Sequence, residues 1–555
     1  MCIGDRPIFT CHSQLFSTIL SSVKVLLVQP PIEDFYDTPI RTYPLALLYL
    51  AAAIKDVCDV SVADFRSNKK RMLKAHPFPE LTAFYRRDAY TPLSLFHSYY
   101  RFGMSREEIR TYMQEDKPDV VAISSLFTTY AEEALDVAAI AKQIDPAIVT
   151  IMGGTHPTVF PRHCLSSPFV DYVVRGEGET PLNELIGALD TGERGLIRIP
   201  GVCSKDRAGM HISQISFEDT IDLTPERRLI NSRDYRIARH TYSFMLTSRG
   251  CPFHCAFCGK PPVPYRRREI GSIEKEIEDC RGLNIRAIDF EDDMLNLDLK
   301  SFRKVLELFQ GTGIELSAMN GLYAGTLDKE TLELMYDAGF RRLNFSLVDA
   351  SHAVHHAQQR VFPAHFTDLL SYLESSPFVV EAHFILGLPG QRHDDIIETM
   401  IFLMERRLLA GPSVYYLAPT SPLFHDSIGG DWERYLKVMR SSALYPSNPL
   451  FPRETTATFV KLTRFINMVK GMVDRNPAME RLSDIAETEC IPEREHDVYI
   501  LKSLLSGKRF ISYDVRRNEY VEEPQDRDLV SYFFRKIHGK TIRGFKTPNR
   551  LTVDI

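Results

Sequence analysis

The stretch Ser248-Arg-Gly-Cys-Pro-Phe-His-Cys-Ala-Phe-Cys-Gly259 sets Cys251, Cys255 and Cys258 in a Cys-x3-Cys-x2-Cys spacing. It follows directly on Ser243–Thr247, an apolar run that reads as a β-strand. Thiolates are soft ligands, suited to iron–sulfur clusters and to zinc. Three of them hold three irons of a cubane cluster and leave the fourth iron without a protein ligand. Such an open position is where a metal cofactor does chemistry rather than structural work. The competing reading is a zinc site made of the three cysteines and His254. That arrangement is sterically awkward, because His254 lies inside the ligand loop, and no second ligand pair follows to complete a zinc ribbon. The other seven of the ten cysteines lack this spacing and read as small hydrophobes.

Around this loop the chain alternates strands and helices. Six strand candidates run through Ser243–Thr247, Arg286–Phe290, Ile314–Ala318, Arg342–Leu347, Val379–Leu386 and Ser413–Ala418, separated by helical stretches such as Leu299–Phe309 and Lys329–Ala338. Six βα units in succession predict a partial (β/α)6 barrel of TIM type, with its active face at the C-terminal ends of the strands. Upstream, Val23–Val28, Val120–Ser124, Ile148–Met152 and Val170–Val174 are continuous apolar runs, as in strands buried on both faces of a doubly wound Rossmann-like sheet. The expected fold is therefore α/β throughout both parts. The division runs 1–22 leader, 23–198 first domain, 199–239 polar linker, 240–429 barrel and 430–555 a mainly helical C-terminal region. In that last region Phe459, Leu462, Ile466, Val469 and Val473 line one helix face at a 3.6-residue period, read as packing against the barrel.

Composition excludes several classes. At 555 residues the chain is long enough for more than one core. A formal charge of −6 gives no footprint for nucleic acid. The longest apolar run, Pro44 to Ile54, is too short for a transmembrane segment. Scattered cysteines argue against a disulfide framework and for a cytoplasmic location.

The Cys-x3-Cys-x-Phe-Cys loop after a first barrel strand resembles the signature of the radical S-adenosylmethionine (SAM) superfamily. The resemblance implies a 4Fe-4S cluster whose open iron is chelated by SAM. Reductive cleavage would give methionine and a 5′-deoxyadenosyl radical, with Phe257 near the adenine. Ile288-Asp-Phe-Glu-Asp-Asp-Met294 resembles the acidic second strand end of cobalamin-dependent members. Glu291 and Asp292 are the expected contacts to the polar end of SAM, and Asp293 is expected to cap the next helix. Phe384-Ile-Leu-Gly-Leu-Pro-Gly390, with Gly387, resembles the glycine-rich fifth-strand motif. Tyr416-Leu-Ala-Pro-Thr-Ser-Pro422, with Leu417, resembles the adenine-stacking sixth-strand segment. The fourth strand departs from the pattern: Asn344-Phe-Ser-Leu-Val-Asp-Ala350 has Val348 where a glutamate is usual, so Ser346 or Asp349 is the expected substitute at the ribose. His352, His355 and His356 read as a helix face.

Residues 23 to about 190 resemble the cobalamin-binding domain that precedes such barrels, on Lys24–Pro31, Tyr43–Leu50, Val120–Ser125, Met152–Pro157 and Arg175–Glu179. A large planar cofactor across strand ends needs close backbone approach, which glycine permits. Ser124, Ser125, Gly153, Gly154 and Thr155 are the expected contacts to the nucleotide tail, with Gly176, Glu177 and Gly178 completing the set. Gly176–Glu179 also reads as a turn with a helix-capping acid. The Asp-x-His-x-x-Gly sequence is absent, so no histidine is assigned to the cobalt, and His156 reads as a loop residue.

The resemblance implies a cobalamin-dependent enzyme that methylates an unactivated carbon. Its substrate would be a small molecule, a lipid-like compound or a peptide, and an electron donor such as flavodoxin or ferredoxin would serve it. The rivals are radical cyclisation or rearrangement without net methyl transfer, and a non-catalytic sensor of cluster and cobalamin.

Overall fold

The computed structural model describes residues 23–36, 42–66, 69–193, 197–207, 209–237, 239–260, 263–362, 365–424, 433–446, 448–486 and 495–555. The leader at 1–22 lies outside them.

Apolar strands that bury both faces need helices on both sides, and the first sheet obtains them. Its strands are β1 (Lys24–Gln29), β2 (Asp59–Asp64), β3 (Val120–Ser124), β4 (Val149–Gly153), β5 (Tyr172–Val174), β6 (Val202–Lys205) and β7 (Met210–His211), in the order β7-β6-β5-β4-β3-β1-β2. β1 to β5 are parallel, whereas β6 and β7 add antiparallel. Helices Leu45–Ile54 and Glu179–Asp190 cover one face, and Arg106–Asp116 and Ala131–Ile144 the other. One expectation is corrected, and one strand joins those the sequence marked. The polar segment expected as a linker from 199 supplies β6 and β7. The edge strand β2, in which Asp59, Ser61 and Asp64 interrupt the apolar run, is an element that apolar continuity does not signal.

The barrel strands are β8 (His240–Met245), β9 (Ala287–Phe290), β10 (Glu315–Ser317), β11 (Arg342–Val348), β12 (Val379–Leu386) and β13 (Leu409–Val414). They form two parallel triplets, β8-β9-β10 and β11-β12-β13, bridged at Leu316–Phe340 and Leu322–Phe345. The sixth strand starts four residues before its predicted position, so Tyr415–Ala418 is loop at the strand's end.

The C-terminal region is mainly helical, as expected, with two hairpins that the sequence did not mark. Its helices are Arg453–Arg475, Glu495–Gly507 and Arg527–Ile537, and its hairpins pair Ile511–Asp514 with Glu519–Glu522, and Thr541–Arg543 with Arg550–Thr552. The apolar stripe Phe459 to Val473 is buried in the barrel's own core cluster, as its period predicts. Among the described residues no helix is long and apolar enough to cross a membrane.

Candidate functional site

The thiol loop leaves β8 under close constraint. Both carboxylate oxygens of Asp292, just past β9, accept from the Thr247 amide at 3.1 and 3.0 Å. One of them also accepts from the hydroxyls of Thr247 at 2.7 Å and Ser248 at 2.6 Å. Asp292 thus ties two strand ends together and is a positioning residue. Burial holds its carboxyl above the usual range, opposed by these donors. Gly250 has φ 84°, and a Cβ there would stand 2.4 Å from the Pro264 carbonyl. A Cβ on Gly259 would meet Ala418 at 2.5 Å, and Thr420 Oγ1 donates to the Gly259 carbonyl at 2.6 Å. The sixth-strand segment therefore rests directly on the thiol loop.

Cys251 and Cys258 are half-buried and Cys255 is buried. Burial raises the thiols of Cys251 and Cys258, while Lys260 opposes it. Among the described residues, these three sulfurs do not belong to any group of ligand atoms gathered within 4.8 Å, the spacing a single ion needs. The sequence did not mark Arg360: its Nη1 lies 3.7 Å from Cys255 Sγ, and its Nη2 donates to the Ser346 carbonyl at 3.0 Å. A cation beside thiolates stabilises them, but from sequence alone nothing connects residues 105 positions apart.

The expected SAM contacts divide into two groups. Phe257 and Leu417 meet in one apolar cluster with Val348 and Leu388. Glu291 keeps one long bond, from Asn320 Nδ2 at 3.2 Å, and burial pushes it up to about 7. Gly387 turns at φ 90°, its amide donating to Gln391 Oε1. Ser346 is exposed. Asp349, in contrast, is fully buried and accepts from the Ser351 amide, Gln391 Nε2 and Thr399 Oγ1, so it locks strand end to helix and is corrected as a ribose contact. Between them the register slips at Val348, whose φ of 72° is exceptional for a β-branched residue. Asp293 pairs with Lys260 instead of capping a helix; Asp298 is the cap, accepting from the Ser301 amide. Of the histidines, His355 is buried, its Nε2 donating to the Asp349 carbonyl at 2.8 Å, and the other two are exposed.

At the carboxyl ends of β3 and β4 the expected cobalamin residues do come together. Ser124 pairs with Gly153, the Ser125 amide donates to the Gly153 carbonyl at 2.7 Å, and Thr155 opens a short helix, Thr155–Val159. Gly154 has φ 111°, and a Cβ there would lie 2.7 Å from the Ser125 carbonyl. Among the described residues Ser125 Oγ is buried with no hydrogen-bond partner, an orphaned donor at the mouth of the sheet. His156 is helical and fully buried, not a loop residue. Its Nε2 lies 3.0 Å from His163 Nδ1, and burial with that neighbour depresses it to about 3.

The Arg175–Glu179 motif has another task. A Cβ on Gly176 would strike the Ser216 carbonyl, and Gly178 sits against Leu50, so these glycines admit neighbouring protein rather than a cofactor. Glu177 accepts from Arg266 through two bonds of 2.7 Å, from Arg249 at 3.2 Å and from the Glu218 amide at 2.6 Å. Arg249, two residues before Cys251, also binds Glu179 at 2.6 Å. Burial alone would raise Glu177, but the arginines and the amide outweigh it and hold its carboxyl below the usual range. Of the expected cobalamin contacts Gly176, Glu177 and Gly178, Glu177 clamps the thiol loop to the first domain, and the two glycines pack against Ser216 and Leu50. A second tie joins Asp34 to Arg440 at 3.1 Å, with Tyr130 and Ser442 hydroxyls donating to the same carboxylate.

Two family models match the chain: a B12 binding domain over residues 96–186 and the radical SAM superfamily over residues 245–403. An uncharacterized methyltransferase of Pyrococcus horikoshii is 26% identical over 68% of this chain and 77% of its own length. The cytidylyl-2-hydroxyethylphosphonate methyltransferase of Streptomyces wedmorensis is 27% identical over 66% and 73%. Among solved structures, the radical SAM methyltransferase TsrM of Kitasatospora setae, with cobalamin and a [4Fe-4S] cluster bound, superposes with a TM-score of 0.57. The match is at 19% identity, covering 73% of this chain and 78% of that one.

Proposed function

Since the chain belongs to the cobalamin-binding radical SAM superfamily, we propose that it methylates an unactivated carbon of a small molecule, with Cys251, Cys255 and Cys258 holding the 4Fe-4S cluster. One observation carries the reading: Arg249, bonded to Glu177 and Glu179 at the end of the first sheet, is two residues from the first thiol. The thiol loop is thereby fastened beside the strand ends where Ser124, Ser125, Gly153, Gly154 and Thr155 gather.

The residues fit the groups required. Three soft donors on one loop suit the cluster, the cation of Arg360 suits its negative charge, and the orphaned Ser125 Oγ suits a polar cofactor tail. Once bound, the cluster, SAM and cobalamin supply the radical and the methyl group. The chain's own part is placement. Phe257 and Leu417 offer an apolar wall for adenine. Glu291 offers a carboxyl to the ammonium of SAM, and Ser346 is the hydroxyl left open to the ribose. Asp292 and Glu177 hold these parts in register. Seven described cysteines are free thiols, in keeping with a reducing cytoplasm, where a flavodoxin- or ferredoxin-type donor would supply the cluster's electron.

Anaerobic reconstitution with iron, sulfide, reductant, hydroxocobalamin and SAM tests the proposal. The expected products are 5′-deoxyadenosine and S-adenosylhomocysteine, with the first abolished in Cys255→Ala. Zinc retained at the loop, or a cluster inert toward SAM, would refute it.

A further inference from the structure

Among the described residues, seven arginines bury a guanidinium nitrogen without a hydrogen-bond partner: Arg66, Arg227, Arg267, Arg268, Arg407, Arg453 and Arg543. Six of them bond or pair through their other nitrogens, for example Arg227 to Glu276 and Arg543 to Glu374. Arg66 differs. Its Nε is buried without a hydrogen-bond partner, and its backbone amide donates to Asp64 Oδ1 at 3.0 Å. The nearest carboxylate, Asp64, already accepts from Gln29 Nε2 at 3.1 Å and from the Tyr235 hydroxyl at 2.9 Å.

A buried guanidinium nitrogen without a partner is destabilising, and Arg66 as a whole is half-buried. Burial lowers the guanidinium's affinity for its proton, with Asp64 opposing. Arg66 also lines a cleft of about 500 Å³ beyond the end of edge strand β2, walled by Phe65, Phe102, Tyr112, Tyr235 and Tyr242. That volume falls in the range of small-ligand sites, roughly 300–1,000 Å³. In the sheet order β4-β3-β1-β2 the cleft is three strands from Gly153 and Gly154, about 14 Å at the usual strand spacing. It is thus separate from the loops assigned to cobalamin.

We propose that this cleft is a second ligand site, which binds a small organic anion bearing an aromatic ring, with Arg66 receiving its phosphate or carboxylate. The planar guanidinium fork suits either oxyanion, and the tyrosine and phenylalanine walls suit a ring. The site goes beyond the methyl-transfer reading and stands without it.

The test uses the full-length chain and three probes: phenyl phosphate, benzoate and neutral phenol. Phenyl phosphate or benzoate should raise the melting temperature of the wild type, and phenol should not. A response to only one anion identifies the oxyanion the cleft prefers. Arg66→Met should weaken binding of that anion at least about tenfold. Without probe it should melt no lower than wild type, because a buried donor without a partner has been removed. If Arg66→Met does not fold, Arg66→Lys, which keeps the charge and loses the fork, should weaken binding similarly. An anion shift that survives both substitutions, no shift in wild type, or competition from hydroxocobalamin would each overturn the proposal. None of these readouts requires SAM cleavage, so the outcome is independent of the proposed reaction.

Discussion

Glu177→Gln is the substitution that most directly tests how the two halves are joined. The carboxylate meets Arg266 in two bonds of 2.7 Å and Arg249 in one of 3.2 Å, and all three side chains are no more than 17% exposed. Charge-assisted bonds to such a group contribute about 1.5–3 kcal/mol each, and stranding the partner cations adds to the loss. Partial re-solvation of the two arginines offsets some of it, so about 3 kcal/mol is expected. By contrast, the Arg453–Glu80 pair is 3.5 Å long and its glutamate is 40% exposed, so Glu80→Gln should change stability by less than about 0.5 kcal/mol. Thermal unfolding of both variants, with a double-mutant cycle of Glu177→Gln and Arg266→Met, measures the clamp. A coupling below about 0.5 kcal/mol would refute the reasoning. The pH dependence has a defined sign. Glu177 is depressed in the folded chain, so its contribution is complete above the unfolded carboxyl value of about 4.3. It is lost as pH falls through the lower folded value.

Three further outcomes follow from the same geometry. Asp292→Ala strands the donors of Thr247 and Ser248 in a buried place, at about 1–3 kcal/mol each, and iron per chain after reconstitution should fall; undiminished iron would contradict its positioning role. Arg360→Met removes the cation 3.7 Å from Cys255 Sγ and should move the cluster's reduction potential more negative, on the order of tens of millivolts, as spectroelectrochemistry would read. His156 sits near 3 when folded against about 6.5 unfolded, so below pH 6.5 the unfolded chain binds a proton that the native chain refuses. Acidification to pH 5 should therefore cost about 2 kcal/mol, and His156→Phe should remove that portion of the melting-temperature decline.

The thiol loop was legible because its ligands lie within eight residues of one another, and the strand series because buried parallel strands are apolar without interruption. Edge strand β2 escaped notice for the opposite reason: with one neighbour only, it tolerates polar residues. The acids were harder still. Asp292, Asp349, Glu177 and Glu291 look alike in sequence, each beside a glycine or a strand end. Only Glu291 keeps oxygen capacity to spare, since the others answer donors 42 to 89 positions away.

By itself, then, the sequence determined the ligand chemistry and the succession of βα units, both of which depend on residues close together in the chain. The tertiary structure decided which charged groups are spent and which are left to act. A carboxylate or guanidinium satisfied by a buried partner has no remaining capacity for a ligand, and that partner is chosen by folding rather than by spacing. Glu177 and Arg66 mark the two extremes: one meets two arginines, and the other, among the described residues, keeps a buried nitrogen without a hydrogen-bond partner.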